Sequence, residues 1–197
     1  KLYDLPERFT IGYAGKIREK TMFETLIKAI EKLPDSINPK VIIAGHGTAS
    51  AEVDKLFQKS TIEVERIGKF QGNQLPEIIQ KMSIMYAVYP TSRGNILDGA
   101  IPTKMFDAAV NGRPSIVNSN CLMGDIAIAE KIGITVNSGE VDELTAALLQ
   151  IENKNNIIKL QRNWSTEAKR LVSAYGNVLN DSSTGNGVKK YDYKGQS

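Results

Sequence analysis

Hydrophobic and polar positions along this chain fall into two alternating patterns. Short apolar or β-branched stretches run from Phe9 to Ala14, Lys40 to Ala44, Ile62 to Ile67, Ile84 to Tyr89, Ser115 to Asn118 and Gly133 to Val136. The first four stop at glycine or proline, as strands do. Between them the spacing becomes helical. From Met22 to Leu33, Phe23, Leu26, Ile27 and Ile30 share one face. Ala49 to Lys59, Gln74 to Met82, Ile126 to Lys131 and Val141 to Ile151 read the same way, and Asn155 to Tyr175 is the longest helical pattern. Strands alternating with helices predict βαβ units: an α/β, Rossmann-like fold, its parallel β-sheet covered by helices on both faces. Strands apolar on both sides belong in such a sheet. Ligands there sit beyond the carboxyl ends of the strands. The exits at Gly15, Gly45, Gly68 and Pro90, and the loop from Gly99 to Thr103, are therefore expected on one rim.

Composition narrows the classes. The 197 residues are 41% hydrophobic, enough for one sizeable core. A net charge of +3 is too mild to demand nucleic acid, and no dense Lys/Arg run carries interleaved aromatics. Nucleic acid is therefore not an expected partner. A single cysteine, Cys121, excludes an internal disulfide framework, and with one histidine, His46, no Cys/His metal cluster is expected. No apolar run is long enough for a bilayer and no signal-peptide pattern opens the chain, so a cytoplasmic setting is the default. The chain opens on Lys1 rather than Met, which suggests a piece of something longer. Asp181 to Ser197 is rich in Ser, Gly, Asn and Lys and reads as a flexible polar tail behind a domain of residues 1–180.

Candidate chemistry concentrates between Gly99 and Pro114. The stretch reads as a loop, a helix with Pro102 at its first position, a stop at Gly112 and then a strand. A loop-to-helix junction directs backbone N–H groups outward and suits a phosphate. Lys104 adds a cation in the first turn, where it weakens the helix but suits a bound anion. Asp107, one turn on, can accept hydrogen bonds from sugar hydroxyls, or pair with Lys104 three residues earlier. A phosphate site beside such a carboxylate suggests a nucleotide-sugar. The Gly15-Lys16-Ile17-Arg18-Glu19-Lys20 loop sets three cations after the first strand, suited to a diphosphate leaving group. The alternative is a solvated basic loop with Lys20 paired to Glu19 or Glu24. Gly45-His46-Gly47-Thr48-Ala49-Ser50 resembles a dinucleotide fingerprint with Glu65 as the ribose carboxylate, but its third glycine is Ser50 and a full βα unit precedes it. A tight turn is the plainer role. Arg66 to Gly72 is a glycine-rich strand exit whose main chain suits a flat base, or an ordinary turn.

In order and spacing, Gly15-Lys16 with Lys20, Val41 to Gly47, Gly68, Tyr89-Pro90-Thr91-Ser92 and Lys104 to Pro114 resemble the carboxyl-terminal domain of group 1 glycosyltransferases, a retaining GT-B family. The likeness spans about Phe9 to Tyr175, and the last helix, with Trp164 and Tyr175, looks like the family's closing helix. The resemblance implies transfer of a sugar, with retention, from a nucleotide diphosphate donor of UDP or GDP type, without a metal. Lys16 and Lys20 would be the catalytic cations on the diphosphate. Gly15, Gly68, Ile101, Pro102, Thr103, Lys104 and Asp107 would line the donor site, Asp107 matching the second acid of the family's E-x7-E motif, which binds the ribose. Eight places back stands Gly99, so the first acid is absent in register, with Asp98 one residue off. A glycan or lipid-linked acceptor would bind through an amino-terminal domain missing here, leaving this domain inactive alone and any membrane association to that other half. Two further readings stand beside it: a non-catalytic sugar-nucleotide-binding subunit, and an NAD-dependent oxidoreductase built on Gly45, Gly47 and Glu65.

Overall fold

The computed structural model describes residues 4–154 and 164–183. They fall into two units, one within residues 1–160 and one within 161–197. The first holds six strands: β1 (Thr10–Ala14), β2 (Lys40–Ala44), β3 (Val64–Ile67), β4 (Ile84–Ala87), β5 (Ser115–Asn118) and β6 (Gly133–Val136). Every pairing is parallel and the order is β3-β2-β1-β4-β5-β6. The helices are α1 (Thr21–Glu31), α2 (Ser50–Gln58), α3 (Leu75–Gln80), α4 (Gly94–Leu97), α5 (Lys104–Val110), α6 (Leu122–Ala129) and α7 (Val141–Lys154). The parallel α/β architecture is the one the alternating pattern predicts.

Side chains alternate across the sheet, so the inner strands β1, β2 and β4 feed two cores. On β2, Val41 and Ile43 join the large cluster with Phe23, Leu26 and Val53, while Ile42 and Ala44 join a smaller one with Ile79, Met82 and Met85. Both faces of these inner strands are covered, whereas the edge strand β3 carries Glu65 and Arg66 and is only partly buried.

The strand order reverses between β1 and β4, and parallel sheets open a crevice at that point. The register shows the opening. β1 pairs with β2 over five rungs but with β4 only at Ile11↔Ile84 and Gly12↔Met85. Beyond Gly12 the two central strands separate, and their exit segments face each other across the gap.

Several boundaries differ from the sequence reading: α6 begins at Leu122 and not at Ile126, β3 begins at Val64 and not at Ile62, and β4 ends at Ala87, two residues before Tyr89. The helix after Gly99 starts at Lys104, with Thr103 as its cap residue, so Pro102 precedes the helix instead of opening it. The first bond of that helix runs from the Asp107 N–H to the Thr103 carbonyl at 2.9 Å, later in the chain than a proline at the first helical position implies. The short helix α4 has no counterpart in the sequence reading; its four residues are too few to carry a periodicity. In the second unit, α8 (Trp164–Ser183) runs past Tyr175 into the stretch read as tail, and the first nine residues of the expected Asn155–Tyr175 helix lie outside the described residues. Among the described residues no helix is long and apolar enough to cross a membrane.

Candidate functional site

The crevice is built outward from β1. Gly15 leaves the strand with φ of +140° and donates its N–H to the Ala44 carbonyl at 2.9 Å. Ile17, fully buried, donates to the His46 carbonyl at 3.4 Å and accepts from the Ala49 N–H at 3.2 Å. The β1 and β2 exit loops therefore interlock main chain to main chain. A Cβ on Gly45 would lie 2.0 Å from the Gly15 carbonyl oxygen, and one on Gly47 1.9 Å from that of Ile17. These two glycines let the loops touch. Glu65 is equally committed. It accepts from Lys40 at 2.6 Å and Lys81 at 3.1 Å, and these hydrogen bonds hold it below the usual carboxylate range. The G-x-G run is a packing device, and Glu65 an ion-pair partner within β3.

Across the crevice, β4 gives way to Val88 and Tyr89. Here a side chain continues the ladder: buried Asn118 accepts from the Tyr89 N–H and donates to the Tyr89 carbonyl, each at 2.8 Å. Both main-chain groups of Tyr89 are thus satisfied without a strand partner. Lys104 reaches into the gap from α5. Its ammonium donates to the Tyr13 hydroxyl and to the Tyr89 hydroxyl, each at 3.1 Å, and lies 4.2 Å and 5.2 Å from the two ring centres. The Tyr13 hydroxyl in turn donates to the Lys16 carbonyl at 2.7 Å. A Cβ on Gly15 would come within 2.6 Å of the Lys104 Cε, so the glycine leaves room for the lysine stem. Arg93, before α4, places its guanidinium 4.6 Å from the Tyr89 ring centre and 3.9 Å from the Glu19 carboxylate.

The charges of this cluster are mixed: Lys104, Arg18 and Arg93 stand with Glu19, the partner of Arg93, and Asp107. Burial lowers the Lys104 pKa from its ordinary 10.5 to about 8, and the positive charges of Arg93 and Arg18 add to the effect. The opposing pull of Asp107 is the weakest of the four influences. Tyr89 is pushed up to about 12 and Tyr13 further, both chiefly by burial, so the lysine's hydrogen-bond partners are neutral near pH 7. Asp107 is itself raised by burial, against a hydrogen bond from Thr103.

A Rossmann-type sheet with a cation cluster at its switch point is a general feature, and comparison with known proteins gives it a family. The model of the family described as glycosyl transferases group 1 matches residues 4–171. The chain belongs to that family. No curated protein sequence matches it. Among solved structures, the catalytic domain of cholesterol-alpha-glucosyltransferase from Helicobacter pylori is 17% identical, with a TM-score of 0.59 over 75% of this chain and 89% of that one. HepE of Anabaena, in complex with UDP-glucose, is 14% identical with a TM-score of 0.62 over 90% of this chain and 49% of its own. The carboxyl-terminal domain of the group 1 protein LpcC from Francisella tularensis is 17% identical, with a TM-score of 0.57 over 76% and 78%. These likenesses show a shared GT-B fold. The chain spans about half the length of HepE and 31% of that of TarM from S. aureus.

Within this group 1 domain, Gly15 and Lys104 meet at the crevice. Lys16 is exposed and enters the cluster through its carbonyl. Lys20 caps the start of α1 and pairs with Glu24 at 3.5 Å. Ile101, Pro102 and Thr103 form the approach to α5, with Ile101 and Thr103 exposed. Asp107 is half-buried in the first turn, and Lys104 turns to the tyrosines instead of forming a close pair with it. Gly68 is exposed at the end of β3, with its carbonyl accepting from the Gly45 N–H at 3.0 Å and open space where a side chain would be. Gly99 has φ of +93° and no carboxylate. The sequence reading does not single out Tyr13, Arg93 or Asn118, and includes Tyr89 only as part of a motif. Their signal is a phenol near the end of each central strand, legible only once β1 and β4 are known to be neighbours.

Proposed function

We propose that this chain is the donor-binding half of a retaining glycosyltransferase, which moves a sugar from a nucleoside diphosphate sugar to a glycan or lipid-linked acceptor. The observation that carries the reading is Lys104, half-buried between two phenols with Arg18 and Arg93 acting on it at the switch point. Sugar transfer develops negative charge on a departing diphosphate, and fixed cations in a partly dry crevice stabilise it as it forms. Lys16 and Lys20, exposed on the adjoining loop, extend the cradle, and no metal is needed to complete it. Asp107 offers an acceptor to ribose hydroxyls one turn along α5. Gly15 and the approach through Ile101, Pro102 and Thr103 bring main chain near the phosphates, and Gly68 leaves an open edge for the base.

The complex of HepE with UDP-glucose supports a donor of the UDP type, with GDP as the alternative. Groups that bind the acceptor belong to a second half, so the chain alone binds donor and turns it over little. The expected setting is cytoplasmic, with any membrane attachment through that other half. One observation favours a second reading: Gly99 stands where the family places its first acid, as expected of a sugar-nucleotide-binding subunit without catalysis.

The test is calorimetric titration of the chain with UDP, GDP and NAD, followed by donor turnover with an amino-terminal half supplied. Binding of one nucleoside diphosphate, with turnover only in the presence of that half, is the expected result. Binding without turnover in either form establishes the subunit. Binding of NAD alone, or robust transfer by the isolated chain, overturns the proposal.

A further inference from the structure

Lys104 is the best-held cation of the crevice, and its holders come from two strands that are not adjacent in sequence. Its ammonium has two hydroxyl acceptors at 3.1 Å, Tyr13 at the end of β1 and Tyr89 beyond the end of β4. Both phenols are themselves fixed. Tyr13 is spent as a donor on the Lys16 carbonyl at 2.7 Å, so its lone pairs face the lysine. Tyr89 has its main chain clamped by Asn118 on both sides. Neither ring has freedom to follow a wandering lysine, and each is at most 2% exposed. A long aliphatic stem with several rotatable bonds would otherwise sample many positions, and fixing it in advance lowers the entropic cost of binding.

Resting on the diphosphate reading above, we propose that Tyr13 and Tyr89 are positioning residues that pre-set the Lys104 ammonium for the donor's diphosphate and keep it protonated in the empty crevice. Their hydroxyls accept hydrogen bonds with full strength only from the charged lysine, so they oppose the burial and the neighbouring cations that favour its neutral form. The groups acting on Lys104 are Tyr13 from β1, Arg18 from the loop after it, Tyr89 and Arg93 from the segment after β4, and Asp107 from α5 itself. Arg18 and Arg93 repel the proton, Asp107 weakly retains it, and the phenols supply the direct contacts. The Tyr13 bond to the Lys16 carbonyl ties the same network to the cationic loop, so the diphosphate would meet one assembly and not two independent elements.

The experiment compares the full chain with Tyr13→Phe, Tyr89→Phe, the double variant and Lys104→Met. Two readouts are taken: the 13Cε resonance of Lys104 against pH without ligand, and calorimetric affinity for UDP and GDP from pH 6.5 to 9.5. Each phenylalanine keeps the ring and removes the hydroxyl. Unchanged thermal melts would exclude loss of fold as the cause, and the single variants carry the test where the double variant does not fold. The expected result is a Lys104 titration displaced to lower pH in both Phe variants, and affinity reduced roughly three- to tenfold by each at neutral pH. The double variant should approach Lys104→Met, and the alkaline decline in affinity should begin at lower pH than in the unaltered chain. An unchanged Lys104 titration and unchanged affinity in the double variant overturn the inference while leaving the donor site intact. If the unaltered chain binds neither diphosphate, the donor reading falls and the positioning role with it.

Discussion

The two glycine-bearing loops at the exits of β1 and β2 look alike in sequence and differ in what their glycines face. Gly45 and Gly47 face main chain: the carbonyl oxygens of Gly15 and Ile17 occupy the space where their side chains would go. Gly15 faces the stem of Lys104, a side chain that can shift only by straining its two hydrogen bonds. The first pair holds the rim together, and the second position makes room for the Lys104 side chain. A glycine motif therefore carries no function by its spacing. Its role is set by whether backbone or a side chain stands opposite, and that distinction separates the dinucleotide-like motif from the proposed donor site.

The largest break in this comparison comes from alanine at the two kinds of glycine. Gly45→Ala must displace a carbonyl and also sits at φ of +115°, so a loss of roughly 3–5 kcal/mol in urea unfolding is expected. Gly15→Ala is strained at φ of +140° but displaces only the end of a lysine, so roughly 1–2 kcal/mol is expected, with a disproportionate loss of diphosphate affinity. Equal stability losses in the two variants would remove the distinction.

Asn118→Leu tests the clamp on Tyr89. It leaves a buried N–H and a carbonyl without their partner, each worth about 1–3 kcal/mol, so a loss of roughly 2–4 kcal/mol is expected by denaturant unfolding. Asn118→Asp, which keeps the acceptor for the Tyr89 N–H but sets an oxygen against its carbonyl, should be no better at neutral pH. Full stability in the leucine variant would mean that water satisfies Tyr89 unaided.

The same contrast explains what is legible in the sequence. Periodicity locates all six strands, because β2 and β4 are apolar on both faces and a buried parallel strand has no other pattern. Gly15, Lys104 and Asp107 can be singled out because charge and glycine are local signals. The partners of Lys104 cannot, since Tyr13 and Tyr89 are 76 residues apart and meet only because β4 returns beside β1. Val88 and Tyr89 read as strand because they continue an apolar run, yet the partner of the Tyr89 main chain is the Asn118 side chain, which no hydrophobic pattern encodes. The helix start at Lys104 escapes the sequence reading for a related reason: proline marks where a helix is allowed to begin, and here the chain uses it just before the helix, in the approach.

Lys104 gives the third prediction, with a sign fixed by its titration. The unfolded chain binds its proton up to the ordinary 10.5, while the folded chain releases it near 8. Between those values the unfolded state holds more protons, so stability from this residue rises with pH, and below 8 the full cost of the buried charge is present. Lys104→Met removes that dependence. Relative to the unaltered chain, the variant should be most favoured near neutral pH, and the advantage should shrink as pH rises from about 8 to 9.5, before tyrosine ionisation intervenes. The whole effect is bounded at roughly 3 kcal/mol by the size of the shift. A difference in stability that stays flat across this window would show that Lys104 is not poised as described. Diphosphate binding should respond the other way, weakening in the unaltered chain as Lys104 loses its charge.

The smallest effect is expected at Lys20, and it sharpens the contrast between a cation held by the fold and one left to solvent. Lys20 pairs with Glu24 one turn along α1 at 3.5 Å, with 46% of its side chain exposed. Such pairs contribute a few tenths of a kcal/mol and are screened by salt. Lys20→Ala should therefore leave stability within about 0.5 kcal/mol of the unaltered chain. If Lys20 joins the diphosphate, as its loop suggests, it must first leave Glu24, so Glu24→Gln should tighten diphosphate binding where Lys20→Ala weakens it. Both changes should fade at high salt, because an exposed cation is screened, whereas the loss caused by Lys104→Met should persist. Were Lys20→Ala and Glu24→Gln both silent at low salt, the diphosphate would be held by the buried cluster, and Lys20 would be a surface residue of α1.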